Sequence, residues 1–201
     1  MPGLGTISNS YRMNVKNLVY AKLLTDTETG TTYGDIKKFA DARQIQVTPT
    51  IASGDCYGDG AKKKSQSKIT GYEVTTDVNK AQVDVRADLF GHKFTPDGEL
   101  IIGNDDKPIE FAFGYEIEQT EGNRELVWLL KCTAQPYAYT VQQTEGDVKY
   151  ASDSIKITSI MRESDNNFQL IGDTNNSTFT DEKANAFLST VPTTITAETT
   201  V

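Results

Sequence analysis

The sequence predicts a mainly β protein, a two-sheet β-sandwich or barrel with one packed α-helix, a long inter-strand loop and extended terminal arms. Apolar and polar residues alternate at every second position in several segments, most strongly in residues 109–118. Turn-forming residues separate such segments, as in residues 95–98 and 121–123. One segment, residues 80–90, carries apolar residues at helical spacing and is followed by a glycine.

Nine segments are predicted as strands. In residues 109–118 one parity is apolar, and the other, which includes Glu116 and Glu118, predicts a wet acidic face. Residues 125–134 are apolar at both parities, which is typical of a central strand covered on both faces. Pro49 indicates an edge position or a strand end. The predicted strands are residues 15–23, 44–51, 70–78, 99–102, 109–118, 125–134, 137–142, 155–162 and 168–171.

Two helices are predicted, of which the first is the stronger. Residues 80–90 form this helix, with Asn79 as its N-cap and Gly91 directly after its last residue. The second helix covers residues 181–188 and is capped by Thr180. The first helix is the one expected to pack on the sheets.

A chain of 201 residues is long enough for one well-packed domain. The predicted division is an N-terminal arm of residues 1–13, a β domain of residues 14–188 and a Thr-rich C-terminal arm of residues 189–201, either extended or frayed. We expect no membrane span, because no apolar run approaches about 20 residues, and no secretory signal.

The acidic balance of the chain argues against nucleic-acid binding. Asp and Glu number 28 against 20 Lys and Arg, giving a formal net charge of −8. Duplex DNA carries about one negative charge per 1.7 Å, so an acidic surface does not hold it. Cys56 and Cys132 lie in dissimilar contexts, and we expect both to be free thiols in a reducing cytoplasm.

The sequence carries no recognisable chemistry of catalysis. His92 is the single histidine, so neither a His-based metal site nor a Ser/His/Asp triad can be assembled around it. The spacing of Asp55 and Asp59-Gly60 is faintly similar to a calcium loop, but Tyr57 stands where that motif needs an oxygen ligand. We therefore predict a protein that is not an enzyme and has no catalytic, cofactor-binding or metal-binding residues.

Residues 52–68 do not fit a compact core. The segment is polar, rich in glycine and too long for an ordinary connection, so it is predicted to be a functional or disordered loop. It combines acidic residues with a short basic cluster, and opposite charges within one loop suit an electrostatic contact with another subunit. The residues concerned are Asp55, Tyr57, Asp59, Lys62, Lys63 and Lys64.

Six blocks, taken in order, resemble a known family. They are VKNLVYAKL at residues 15–23, TDTETGTTYG at residues 25–34, residues 45–50, residues 79–93 with the ending Leu-Phe-Gly-His-Lys, FAFGYE at residues 111–116 and VWLLKC at residues 127–132. The order of these blocks is similar to that in the major tail proteins, or tail-tube proteins, of long-tailed non-contractile bacteriophages (siphophages) that infect Gram-positive hosts. The Lys-rich part of residues 52–68 and the Thr-rich tail depart from the family pattern.

The resemblance implies a structural subunit of the virion tail, assembled in the host bacterial cytoplasm. Such subunits form stacked hexameric rings, and the rings form a hollow tube through which DNA is ejected without specific binding. The implied partners are other copies of the chain, the tape-measure protein in the lumen, the tail-tip or distal tail proteins and the tail-terminator protein. No membrane and no cofactor is implied.

If the chain is a tail-tube subunit, two sets of its residues have predicted roles. Residues 52–68 are predicted to make the main contact between rings. The wet parities of two strands are predicted to line the lumen as acidic candidates: Glu73, Asp77, Glu116 and Glu118. The alternative is an acidic β-sandwich binding module for carbohydrate or protein on a virion or cell surface, which would remain a monomer or small oligomer.

Overall fold

The structure, a computed structural model, describes residues 10–143 and 150–195. Within these residues the chain forms ten strands and two α-helices, and all strand pairs are antiparallel. The elements are β1 Arg12–Thr27, β2 Gly30–Lys38, β3 Ala42–Gly58, β4 Ala61–Val78, α1 Val83–Phe90, β5 Lys93–Phe94, β6 Leu100–Ile101, β7 Glu110–Gln119, β8 Arg124–Ala134, β9 Asp153–Ile160, β10 Gln169–Asp173 and α2 Asp181–Phe187.

One large sheet with the order β2-β1-β7-β8-β9-β4-β3 contains most of the strands. It branches at β8, whose first half pairs with β10 and whose last residues pair with β9. The sheet bends so that β9, β4 and β3 pack over β1, β7 and β8, which gives two layers around a common core. The mainly β, sandwich-like fold predicted from the sequence is confirmed.

Aromatic side chains fill the space between the two layers. Tyr20 and Phe39 meet edge to face with ring centroids 6.0 Å apart, and Phe39 meets Phe113 at 5.1 Å. Leu89 and Phe90 of α1 extend this core at one end of the sandwich. The periodicity of residues 80–90 therefore marks the helix that packs into the core.

The outer face of β1, β7 and β8 is also covered. Trp128 is fully buried there, and its Nε1 donates a hydrogen bond of 2.9 Å to the carbonyl of Phe187 at the end of α2. Val191 is buried against the same face. Arg162, which is fully buried, donates from Nη1 to the carbonyl of Pro192 at 2.6 Å. The chain after α2 is thus fixed onto the sheet up to residue 195.

Most predicted strands are present, but β2 (Gly30–Lys38) and β5 (Lys93–Phe94) were not predicted, and two further segments differ from the prediction. Residues 137–142 form no strand, because β9 occupies the position beside β4 and β8; residues 138–142 are exposed, and Tyr137 is half-buried. Residues 52–68 are not a structureless loop, because they form the outer half of a hairpin between β3 and β4. Pro49 lies on β3, an edge strand as predicted.

The first helix begins later than predicted. It starts at Val83 with Gln82 as its N-cap, and Asn79 is not the capping residue. Residues before the helix are held differently: the Ala81 N–H donates to Asp153 Oδ2 at 2.8 Å. Its end is as predicted, because Gly91 has φ 71° in the left-handed region. The second helix begins after Thr180, whose side chain accepts from the Lys183 N–H.

The limits of the predicted arms also change. Arg12 and Met13 belong to β1 and are not part of a separate arm. In the predicted C-terminal arm, residues 189–195 lie on the sheet, while residues 196–201 and 1–9 lie outside the described residues. Helices α1 and α2 have eight and seven residues, and neither is long and apolar enough to cross a membrane.

Candidate functional site

The outer half of the β3–β4 hairpin projects from the sandwich. We call residues 48–70 the arm. Every residue of the arm is exposed except Gly58, which is half-buried. The two strands stay paired over this length, from Thr48 with Glu73 to Gly58 with Ala61. A two-stranded ribbon with both faces in water is only marginally stable, so the arm is a surface suited to being covered by another molecule.

A tight turn closes the arm. Asp59 and Gly60 are its two central residues, with φ 52° and 74°, which is the pattern of a type I′ turn. Gly60 supplies a left-handed backbone without steric cost, and Asp tolerates it better than most residues do. The Asp59 side chain is 95% exposed, and Tyr57 beside it is 67% exposed.

The hairpin register brings the charged residues of the predicted contact segment together. Asp55 Oδ1 lies 2.8 Å from Lys62 Nζ and accepts a hydrogen bond of 2.7 Å from Ser65. The hydrogen bond from Lys62 lowers the pKa of Asp55. Asp59 lies 3.7 Å from Lys63 Nζ, and Lys64 pairs with Cys56 across the hairpin. The arm contains two carboxylates and four lysines, so its two ion pairs leave an excess of positive charge, carried by Lys64 and Lys68.

The acidic residues predicted for a wet face divide into two groups. On β4, Glu73 is exposed and Asp77 is half-buried, and the opposite parity (Val74, Thr76 and Val78) is buried as predicted. On β7 the prediction of a solvent-exposed face is wrong. The face that carries the polar parity of residues 109–118 is covered by α2 and residues 189–195.

Glu116 is the clearest correction on β7. It is only 4% exposed. Its Oε2 accepts a hydrogen bond of 2.8 Å from Asn17 Nδ2, while Oε1 makes no hydrogen bond and lies 3.5 Å from Lys16 Nζ and 3.9 Å from Arg124 Nη1. Because Lys16 and Arg124 lie close to the Glu116 carboxylate, their positive charges offset the free-energy cost of burying it.

Glu118, two residues later, is about one-third exposed at its side chain. It forms an ion pair with Lys16 and accepts a hydrogen bond of 3.1 Å from Asn14. The hydrogen bond from Lys16 lowers the pKa of Glu118. This carboxylate is therefore already engaged within its own subunit.

A pocket of about 260 Å³, which no sequence pattern predicts, lies at the end of α1. We call it the α1 pocket. Its aromatic wall consists of Phe90, His92 and Tyr137, with ring centroids 5.6 Å (Phe90–His92) and 6.1 Å (Phe90–Tyr137) apart. Arg86 also lines it, and Ile102 stands at its edge with 62% exposure.

His92, the single histidine, has a positional role in this pocket. Its Nδ1 lies 2.7 Å from Asp106 Oδ2. The same carboxyl oxygen accepts a hydrogen bond of 2.7 Å from the Gly103 N–H. The Gly103 amide, and after it His92, lowers the pKa of Asp106. The His92 ring is therefore fixed between the helix end and the following loop.

The two cysteines are unpaired, as predicted: Cys56 is exposed on the arm and Cys132 is buried on β8. Burial raises the pKa of the Cys132 thiol to about 12.

Comparison with known proteins adds no relative, since no family model and no curated protein matches the chain.

Proposed function

We propose that this chain is a structural subunit of a bacteriophage tail tube, which assembles into stacked hexameric rings around a lumen for DNA. The observation that carries the proposal is the arm, residues 48–70, which stays paired as a hairpin although no described residue of its own subunit covers it. Burial in a neighbouring subunit would supply the contacts that an isolated ribbon lacks.

The open sheet supports lateral association of subunits. Strands β2 and β3 end the strand order, and each leaves one edge without a neighbouring strand in the described part of the chain. Unpaired edges favour pairing with another chain, and closing copies into a ring removes them. The ring of six follows from the family resemblance and is part of the proposal.

The charge of the chain supports a conduit through which DNA passes without being held. With a net charge of −8, the ring carries a surplus of carboxylates, and Glu73 is an exposed one on β4. Repulsion acts over a Debye length of about 8 Å at physiological salt, which would keep a duplex away from the wall. In the proposed tail the lumen first holds the tape-measure protein, and tail-tip and terminator proteins cap the ends.

Negative-stain microscopy of the purified chain, at high concentration and with tail-tip proteins added, tests the proposal. The expected result is a hollow tube built from sixfold rings. A variant in which Ala52 is joined to Lys68 by an Asn-Gly turn keeps the strand register and removes the outer part of the arm.

This variant is expected to fold as a monomer and to form no tubes. Circular dichroism spectra that match those of the complete chain would establish that its domain is intact. If the complete chain stays monodisperse under every condition, the proposal is wrong and a self-contained binding module is favoured. If the shortened chain builds normal tubes, the arm is dispensable for assembly.

A further inference from the structure

The α1 pocket contains an arginine, Arg86, whose charge has no acidic partner among the described residues. Arg86 Nε is buried and makes no hydrogen bond. Within residues 10–143 and 150–195, no carboxylate forms an ion pair with Arg86. In contrast, Arg12, Arg124 and Arg162 each pair with an acidic residue. In a chain with 28 acidic and 20 basic residues, a half-buried guanidinium without a carboxylate among the described residues can accept one from another subunit.

The rest of the pocket suits an aromatic side chain. The ring centroid of Phe90 lies 5.6 Å from that of His92 and 6.1 Å from that of Tyr137, and aromatic rings favour offset or edge-to-face contact with a further ring. The exposed side chain of Ile102 would gain an apolar neighbour. The pocket is therefore suited to bind an aromatic ring that has a carboxylate beside it.

The tip of the arm offers this pair of groups. Tyr57 and Asp59 are separated by one residue, and both are exposed. The type I′ turn at Asp59-Gly60 constrains the backbone between the two strands, which lowers the entropy cost of ordering the tip on binding. Lys63 is the nearest cation to Asp59, at 3.7 Å on a solvent-exposed surface, and such a contact contributes little.

The tip and the α1 pocket lie at opposite ends of one hairpin. Strand β4 runs for 18 residues from the tip at Ala61 to Val78, and α1 follows, a length of about 60 Å at about 3.3 Å per residue. Tyr137 is tied to the far end, because its hydroxyl donates to Asp153 Oδ2 at 3.2 Å and Asp153 pairs with Val78.

We propose that the arm tip of one copy docks into the α1 pocket of the next copy, with Asp59 against Arg86 and Tyr57 against the Phe90–Tyr137 wall. This inference rests on the proposed function and names the receiving surface for the arm. A projection at one end and its receptor at the other make a heterologous contact, which does not close on two copies and extends into a filament.

A charge exchange tests the contact. Asp59→Arg alone and Arg86→Asp alone are each expected to raise the concentration at which tubes form by about tenfold or more, because each leaves one charge of the pair unpaired. The double variant is expected to recover most of this loss. Glu182→Arg, the same charge change at an exposed residue of α2, is the matched control and is expected to assemble normally.

Crosslinking gives a readout that does not depend on the charges. Cys56 is the exposed native thiol near the tip, and Ile102→Cys places a second thiol at the edge of the pocket. A short bismaleimide is expected to join successive copies of this variant into a ladder on denaturing gels. Ile171→Cys, at an exposed position on β10, is the control, and adding Cys56→Ser should abolish the ladder.

The outcomes separate this inference from the proposed function. Tubes that form normally from Arg86→Asp, together with no ladder from Ile102→Cys, would overturn the docking of the tip while leaving the tube subunit in place. Closed dimers instead of a ladder would also overturn it. A native chain that forms neither tubes nor a ladder would overturn both.

Discussion

Asn17 donates a hydrogen bond of 2.8 Å to the buried carboxylate of Glu116 from a backbone with φ 54°. This left-handed conformation coincides with the β-bulge where β1 shifts its register against β7 between Lys16 and Val19. The bulge turns the Asn17 amide toward Glu116. This hydrogen bond connects the bulge in β1 to Glu116, a buried carboxylate that the local sequence pattern predicts to be exposed.

We expect Glu116→Lys to unfold far more readily than the native protein. It would replace a carboxylate between Lys16 and Arg124 by a third cation, and breaking a buried charge pair costs about 3–5 kcal/mol. Glu73→Lys, the same change at an exposed position of β4, should alter the free energy of unfolding by less than about 0.5 kcal/mol. Urea titration followed by circular dichroism measures both. Equal losses in the two variants would contradict the burial of Glu116.

Gly114→Ala should destabilise the fold by about 1–3 kcal/mol because of overpacking. A Cβ at this position would lie 2.8–2.9 Å from the ring carbons of Trp128, which is fully buried. At Gly34 the nearest atoms to an added Cβ are 3.8 Å away, so Gly34→Ala is the matched control and should be close to neutral. A neutral Gly114→Ala, measured in the same urea titration, would show that the Trp128 ring can move away.

Asp165→Asn should lower the stability at neutral pH by about 1–3 kcal/mol, because Asp165 pairs with the fully buried Arg162 at 2.6 Å. The hydrogen bond from Arg162 lowers the pKa of Asp165 to about 2 from 3.8. A lowered pKa contributes stability above the unfolded value, and this contribution is lost as pH falls. The difference between the two proteins should therefore shrink between about pH 4 and pH 2.

Thermal unfolding at several pH values checks this dependence. Asp105→Asn, at an exposed residue of the loop before β7, is the control for the loss of one carboxylate. It should unfold like the native protein across the range. A difference for Asp165→Asn that stays constant down to pH 2 would mean that its ion pair does not control the pH dependence.

One thiol per chain should react with a water-soluble disulfide reagent in the native protein, and two after unfolding in urea. Cys56 is exposed, whereas Cys132 is buried and its pKa is raised to about 12 by burial, so it forms little of the reactive thiolate. Cys56→Ser should leave no fast-reacting thiol. Rapid reaction of two thiols in the folded protein would contradict the packing of β8.

Charge reversal on β4 tests the proposed lumen. Glu73→Lys combined with Asp77→Lys should permit assembly but slow DNA ejection, and the delay should decrease as salt is raised. The change Asp35→Lys on β2, at an exposed residue, is the control for an added cation elsewhere. Normal ejection rates from correctly assembled double-variant tails would place another surface on the inside.

The alternation of apolar and polar residues predicts most of the strands, but it does not predict which segments cover them. Alternation in residues 109–118 shows that one face is buried, yet the fate of Glu116 on the other face depends on α2 and residues 189–195, far along the chain. Residues 125–134, apolar at both parities, gave the correct result because their own composition records burial on both sides.

The sequence pattern does not predict the pairing of residues 52–68, for a physical reason. Hydrophobic periodicity arises where one face of a strand is buried, and both faces of residues 52–68 are in water, so this part of the arm has no such periodicity. The usable signal was the dipeptide Asp59-Gly60, a strong hairpin indicator between two polar strands. The α1 pocket has no local signal at all, because Arg86 and Tyr137 meet only through the fold.

Trp128 gives the molecule an internal optical reporter. It is the single tryptophan of the chain, fully buried with its indole N–H bound to the carbonyl of Phe187. Its fluorescence emission therefore monitors one event, the seating of α2 on the outer face of the sheet, and detachment of this helix would shift the emission to longer wavelength as water reaches the ring. Ordering of the distant arm would leave the emission unchanged, so the same sample separates the two processes without an added label.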